Sequence, residues 1–149
     1  MNTLANRPVN QPFPSAVSTN VADAAALIGR ILLAVIFIKS GWSKIGGFDQ
    51  TAAMMASKGL PMAQVLLVVT IAVEFGAGIL LVIGYQARWA ALAFALWLVP
   101  VTLVFHKFWD IPADQVQNQS INFFKNVAIL GGMLMVFAFG PGRYSLDRQ

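Results

Sequence analysis

The chain has 149 residues, of which 58% are hydrophobic and only 11% are charged, and its mean hydropathy is +0.69. Since soluble domains carry about 25% charged residues, this composition excludes an ordinary water-soluble protein. The absence of cysteine from the sequence excludes disulfides, CxxC redox exchange and thiolate metal sites within the chain. The net charge of +4 comes from ten Lys and Arg residues scattered singly, a distribution that favours membrane anchoring over nucleic-acid binding.

Residues 1–20 are polar and contain three prolines, which predicts a loose or surface-lying N-terminal tail. This stretch does not have the order of a signal peptide, because the apolar run after it continues for a full span. We therefore expect two regions, a tail at residues 1–20 and one transmembrane domain at residues 21–149.

The first two apolar runs predict two membrane-spanning helices. The first covers residues 21–45 and contains Arg30 and Lys39. The second covers residues 62–84 and contains Glu74. Each run is long enough to cross a hydrocarbon core of about 30 Å.

Two further runs predict two more spans. Residues 89–105 carry no charged side chain, and residues 121–139 end at a Gly-Pro-Gly sequence that cannot continue a helix. A β-barrel would instead show repeated alternating segments of about ten residues. The predicted fold class is therefore an all-α membrane protein, a bundle of four transmembrane helices.

The connections between the spans differ in length. Residues 50–58 predict either a short helix at the membrane interface, with Met54 and Met55 toward lipid, or a simple loop. The turn at residues 84–86 is so short that its flanking helices should be antiparallel neighbours. Residues 107–119 predict a longer polar connection.

Four spans place both termini on the same side of the membrane. Basic residues near the span ends are divided equally between the two sides, so the positive-inside rule alone does not orient the chain. We expect both termini in the cytoplasm. The basic residues are Arg7, Arg88, Arg143 and Arg148 on the terminal side, and Lys44, Lys58, Lys107 and Lys125 on the other.

Charged residues inside the spans are candidates for function, because a charge at mid-bilayer costs about 2.5–3.5 kcal/mol on insertion scales and usually faces the bundle interior. At about 100° per residue, Arg30, Gly41 and Lys44 share one helix face, whereas Lys39 points nearly the opposite way. Counting residues from the start of each helix, at a rise of about 1.5 Å per residue, places Arg30 and Glu74 at similar depths in the membrane. These positions predict an Arg30–Glu74 ion pair, which would bind a ligand or only fix helix packing.

A second polar group lies near the opposite membrane face. Lys44, His106 and Lys125 fall at this level, and Asn122 and Asn126 add hydrogen-bonding groups four residues apart. The positions predict a polar pocket beneath the loop-facing surface, although His106 alone would also suit an ordinary interfacial histidine. With one histidine and no cysteine, the chain lacks the ligands of a di-iron site or a bis-histidine haem, and no metal site is predicted.

Small and aromatic residues complete the pattern. Four glycines within the spans predict close contact between helices, and three tryptophans near the span ends are typical of the aromatic belt at a membrane surface. These residues are Gly76, Gly78, Gly131 and Gly132, and Trp42, Trp89 and Trp109.

The order and spacing of these residues cover nearly all of the chain after residue 22. They comprise Arg30, Ser40-Gly41-Trp42-Ser43-Lys44, Glu74 with Gly78 and Gly84, His106-Lys107-Phe108-Trp109, Phe124-Lys125-Asn126 and Gly140-Pro141-Gly142-Arg143. This pattern resembles the DoxX family. The resemblance implies a multi-pass, four-helix protein of the bacterial inner membrane, in a family named for a subunit of a quinol oxidase or thiosulfate:quinone oxidoreductase.

Three functions are consistent with the sequence, which shows no catalytic constellation. The first is a redox-associated, quinone-linked subunit that binds an apolar small molecule between its helices, with the bilayer and a second copy or a redox subunit as partners. The second is a non-catalytic scaffold or assembly subunit that recruits a partner protein, and the third is a small solute or proton carrier. For the first function, the implied cofactor is a quinone and the predicted ligand-binding residues are Arg30, Lys44, Glu74, His106, Lys125 and Asn126.

Overall fold

A computed structural model of the chain describes residues 18–147, and in this range it shows four long helices and one short helix. The four long helices are apolar enough to cross a membrane, which confirms the predicted all-α bundle of four transmembrane helices. Residues 1–17 of the predicted tail lie outside the described residues. The helices are α1 (Thr19–Gly46), α2 (Phe48–Ser57), α3 (Ala63–Ile83), α4 (Ala87–Phe105) and α5 (Ala113–Phe139).

The helices run alternately up and down, so the bundle has two distinct ends. At the loop end, α1 and α4 finish while α3 and α5 begin, and α2 lies there between α1 and α3. At the terminal end, α1 and α4 begin while α3 and α5 finish. As expected from the short turn between them, α3 and α4 are antiparallel neighbours in contact.

Two expectations about the connections are corrected by the structure. The predicted polar connection at residues 107–119 is shorter, because α5 begins at Ala113 and its first two turns are mainly polar and exposed. Of the two alternatives for residues 50–58, the short helix is the one present, as α2, but Met55 does not face lipid. It is buried with Ala52 against Leu67 of α3.

The core lies midway along the bundle, where α1, α3, α4 and α5 meet. The rings of Phe37 on α1 and Phe94 on α4 pack with their centroids 4.5 Å apart. Two of the four expected glycine contacts are confirmed. A Cβ added at Gly78 would lie 2.8 Å from Ile38, and one added at Gly132 would lie 3.0 Å from Leu33. The expectation for Gly76 and Gly131 is wrong, because open space surrounds an added Cβ at both positions.

Arg30 is almost fully buried at the terminal end and holds the segment that follows α5. Its guanidinium donates to the carbonyl oxygen of Leu81 at 3.1 Å and to that of Tyr144. Gly84 leaves room for this arrangement, because an added Cβ would overlap both the guanidinium and Ser145. Arg30 therefore ties the middle of α1 to the end of α3 and to residues 140–147.

The predicted Arg30–Glu74 ion pair is wrong. Arg30 is level with Leu81, seven residues and therefore about 10 Å along α3 from Glu74. The two side chains also diverge, because Cα–Cβ bonds tilt toward the N-terminus of their own helix and the two helices are antiparallel. Arg30 consequently extends toward the terminal end, whereas Glu74 extends toward the loop end.

The end of the described chain also caps α4. Both carboxylate oxygens of Asp147 accept backbone N–H groups at the start of α4, from Gln86 at 2.9 Å and from Ala87 at 2.8 Å. The backbone N–H of Arg143 donates to Asp23 near the start of α1. Since the segment after α5 lies beside the start of α1, the two ends of the described chain are on the same side of the bundle.

This arrangement predicts opposite locations for residues 110–112 and the C-terminus of the protein. A reporter that is active only in the cytoplasm should be active when it is fused after Gln149 and inactive when it is inserted at residues 110–112. A reporter active only in the periplasm should give the reverse result. Equal signals at the two sites would contradict four spans, and reversed signals would contradict the predicted cytoplasmic termini.

The role of Arg30 predicts that its loss exposes the segment after α5. Because the chain has no cysteine, a single Ser145→Cys substitution provides a specific reporter for a membrane-impermeant maleimide. Labelling of this cysteine should be slow with Arg30 present and severalfold faster after Arg30→Met. Lys39→Met, on an exposed face of the same helix, serves as the control and should leave the rate unchanged. Equal rates in all three backgrounds would show that Arg30 does not hold the segment.

Candidate functional site

A cavity of about 280 Å³ lies inside the bundle near its loop end. Helices α1, α3, α4 and α5 form its walls, and α2 contributes Thr51, Met54 and Met55. Five of the six predicted ligand-binding residues line it, which are Lys44, Glu74, His106, Lys125 and Asn126. Arg30 is the exception and lies at the terminal end. The predicted polar pocket is thus present, while the binding role of its residues stays a prediction.

The Lys44–Glu74 ion pair forms one wall of the cavity. Lys44 Nζ lies 2.8 Å from Glu74 Oε2 and 3.1 Å from Oε1, and it also donates to Ser40 Oγ at 2.6 Å. The side chain of Glu74 is only 4% exposed, compared with 24% for Lys44. A carboxylate buried this deeply among apolar helices needs a cationic partner, and Lys44 supplies it.

The backbone of α3 changes its winding where it carries this carboxylate. Residues Ala72–Ala77 form a π-helical turn within the otherwise α-helical span. Such turns are rare, and within α-helices they often occur at functional sites. No residue pattern in the sequence predicted this turn.

Gly41 allows α1 to approach the π-helical turn closely. A Cβ added at Gly41 would lie 2.9 Å from the Cβ and from the backbone nitrogen of Phe75, the residue after Glu74. Any larger residue at this position would therefore push α1 and α3 apart. The sequence placed Gly41 on the same face as Lys44, and the structure shows that this glycine brings the Lys44 helix within reach of Glu74.

The opposite wall of the cavity comes from α4 and α5. His106 follows the last residue of α4, and its Nδ1 lies 2.9 Å from Oε1 of Gln119. Lys125 donates to Asn122 Oδ1 at 2.7 Å, while the buried Asn126 donates to Thr102 Oγ1 at 3.0 Å. Among the contacts of residues 18–147, His106 Nε2 and two of the three Lys125 N–H groups remain for a ligand.

The loop after His106 carries its own exposed ion pair. Lys107 Nζ lies 2.8 Å from Asp110 Oδ2. The hydrogen bond and the charge of Lys107 lower the pKa of Asp110 below its ordinary value. Asp110 consequently stays ionised at neutral pH, so this pair adds no net charge to the loop after His106.

The ion pair predicts strong coupling between its two members. Lys44→Met and Glu74→Gln should each lower the unfolding temperature in detergent, because breaking a buried pair by removing one partner costs about 3–5 kcal/mol. The double variant should be milder than the sum of the two changes, with a coupling energy of about 1 kcal/mol or more. Lys39→Met is the matched control on α1 and should have little effect. Additive losses in this cycle would argue against the contact.

Comparisons with known proteins agree with this architecture. The model of the DoxX family matches residues 25–107, which include most of α1, all of α2 to α4, and His106. The chain is 40% identical over 123 residues to inner membrane protein YphA of Escherichia coli, covering 83% of this chain and 88% of that protein. It is 36% identical over 126 residues to inner membrane protein YqjF of the same organism, covering 85% and 92%.

A more distant likeness extends to eukaryotes. The chain is 24% identical over 152 aligned positions to the Surfeit locus protein 4 homolog of Schizosaccharomyces pombe, which covers 99% of this chain and 45% of that protein. No solved structure matches the chain. The extent of the family match and the identity with both Escherichia coli proteins establish the relationship. This chain is therefore a member of the DoxX family and a multi-pass protein of the inner membrane.

Proposed function

We propose that this protein is a redox-associated membrane subunit that binds a quinone, or a similar apolar carbonyl compound, in the cavity at the loop end. The observation that carries the proposal is a small set of hydrogen-bonding groups inside a largely apolar cavity between membrane-spanning helices. Binding sites for small apolar molecules commonly have this composition, with a few polar groups that fix the orientation of the ligand.

The polar groups of the cavity divide into two sets with different roles. The three N–H groups of Lys44 are directed to oxygens of Ser40 and Glu74, so this set is already satisfied and forms a fixed polar wall. Lys125 and His106 have hydrogen-bonding capacity that no other described residue uses. We assign the direct contacts to a ligand oxygen to these two side chains.

The ligand chemistry follows from these two groups. Lys125 can only donate, so it suits a carbonyl oxygen. When the Nδ1–H of neutral His106 donates to Gln119 Oε1, Nε2 accepts a hydroxyl hydrogen, and when the ring is protonated Nε2 donates. A quinone and its reduced quinol present these two kinds of oxygen on an apolar ring, and the aliphatic and aromatic lining of the cavity suits that ring.

A second candidate function, the scaffold, rests on a different observation. Four aromatic rings pack together at the loop end, with neighbouring centroids 5.4–6.0 Å apart. Within this cluster Trp109 and Phe124 are 60% and 61% exposed. An exposed aromatic cluster suits contact with a second copy or a partner redox subunit. The cluster consists of Phe108, Trp109, Phe123 and Phe124.

Tryptophan fluorescence provides a test of ligand binding because one of the four tryptophans lines the cavity. Replacing the exposed Trp42, Trp89 and Trp109 with phenylalanine leaves Trp97 as the reporter. Titration with a quinone analogue should quench its emission and reach saturation. Because His106→Phe and Lys125→Met remove the direct contacts, each should weaken binding about tenfold, which corresponds to about 1.4 kcal/mol.

The control for these variants is Lys39→Met, which removes a lysine from an exposed face of α1 and should leave the affinity unchanged. Quenching that rises linearly without saturation would contradict the quinone site. If a co-purifying partner protein is also retained in the His106 and Lys125 variants, and lost when Trp109 and Phe124 are replaced with alanine, the scaffold is the better account.

A further inference from the structure

A second, smaller cavity of about 170 Å³ lies on the lipid-facing side of the contact between α4 and α5. Its lining is aliphatic and aromatic apart from Thr102 and Asn126, which are hydrogen-bonded to each other. We call it the α4/α5 groove. The groove is lined by Leu98, Val99, Thr102 and Leu103 from α4 and by Phe123, Asn126, Val127 and Leu130 from α5.

The groove adjoins the polar cavity. Leu98 and Asn126 line both spaces, so these two residues form the boundary between them. Asn126 is 8% exposed, and its amide bonds Thr102 across the two helices. A molecule that extends past this boundary would have one part beside Lys125 and His106 and another part among the side chains of the groove.

The chemistry of the two spaces differs in a way that suits a ligand with two different ends. Charged and hydrogen-bonding groups occur in the polar cavity, whereas the groove presents apolar side chains and an amide–hydroxyl pair that already satisfies itself. The groove-lining Val99, Leu103 and Val127 are 47%, 49% and 46% exposed on the membrane-facing surface. A flexible hydrocarbon chain suits this surface, because moving from the bilayer into an apolar groove exposes none of its apolar surface to water and costs no hydrophobic free energy.

We propose that the ligand is a membrane-resident amphiphile whose polar head lies in the cavity and whose hydrocarbon tail lies in the α4/α5 groove. This inference rests on the proposed function, because the head is the carbonyl group assigned to Lys125 and His106. It adds the class of ligand, a tailed membrane lipid instead of a free water-soluble compound. It also assigns the access route, which is lateral, from the bilayer between α4 and α5.

The test compares two probes in nanodiscs, a tail-free benzoquinone and the same head group carrying a ten-carbon chain. Val127→Trp and Leu103→Trp fill the groove from α5 and from α4, respectively. Each should weaken binding of the tailed probe about tenfold and change binding of the tail-free probe less than twofold. Retained binding of the tail-free probe also shows that the variants are folded.

The matched control is Leu96→Trp, because Leu96 is 68% exposed on α4 but lies outside the groove lining. This variant should bind both probes as the parent protein does. Equal effects on the two probes in both groove variants would overturn the groove assignment while leaving the head-group site intact. Failure of the parent protein to bind either probe saturably would overturn the proposed function and the groove assignment together.

Discussion

The buried ion pair between Lys44 and Glu74 is the constraint on which the rest of the site depends. No water is available in the hydrocarbon region to solvate a carboxylate, so Glu74 is compatible with the span only if a cation reaches it. That contact requires the loop end of α1 to approach α3 closely. Gly41 makes the approach possible, and the π-helical turn carries Glu74 at the point of contact. The cavity lies beside this contact and has the pair as one of its walls.

The charged side chains inside the bundle form two groups, one at each end, and the two groups make different kinds of contact. At the terminal end, Arg30 is bonded to backbone carbonyls, and Asp147 caps the start of α4. These contacts fasten the segment after α5 to the rest of the bundle. At the loop end, charged groups border a cavity, and Lys125 and His106 retain hydrogen-bonding capacity within the described residues. The apolar layer around Phe37, Phe94 and Leu98 separates the two ends, so each can be altered with limited effect on the other.

The sequence predicted the spans well because hydropathy over about 20 residues reports directly on membrane burial. It also predicted the polar pocket, since helical periodicity and depth are sufficient to place Lys44, His106 and Lys125 at one end. The pairing of Glu74 was predicted wrongly because depth was counted from the expected helix starts, whereas in the packed bundle Gly41 of α1 lies opposite Glu74 and Arg30 reaches Leu81. Arg30 and Glu74 lean apart in antiparallel helices, whereas Lys44 and Glu74 lean toward one another.

Other features depend on tertiary contacts that carry no local signal. The π-helical turn arises in an ordinary apolar run, and the burial of Met55 is decided by how α2 packs on α3. The early start of α5 at Ala113 was missed because its first turns are polar and extend past the apolar span. The groove between α4 and α5 likewise becomes visible only when the two helices are packed together.

The central claim is that a ligand occupies the polar cavity at the loop end of the bundle. Photo-crosslinking with an azidoquinone, followed by mapping of the labelled peptides by mass spectrometry, tests it most directly. The account predicts labelling at residues 51–55 of α2 and at residues 97–106 at the end of α4, and protection of both by excess unlabelled quinone. Labelling that is spread over the outer faces of the helices, or that excess quinone does not prevent, would contradict it.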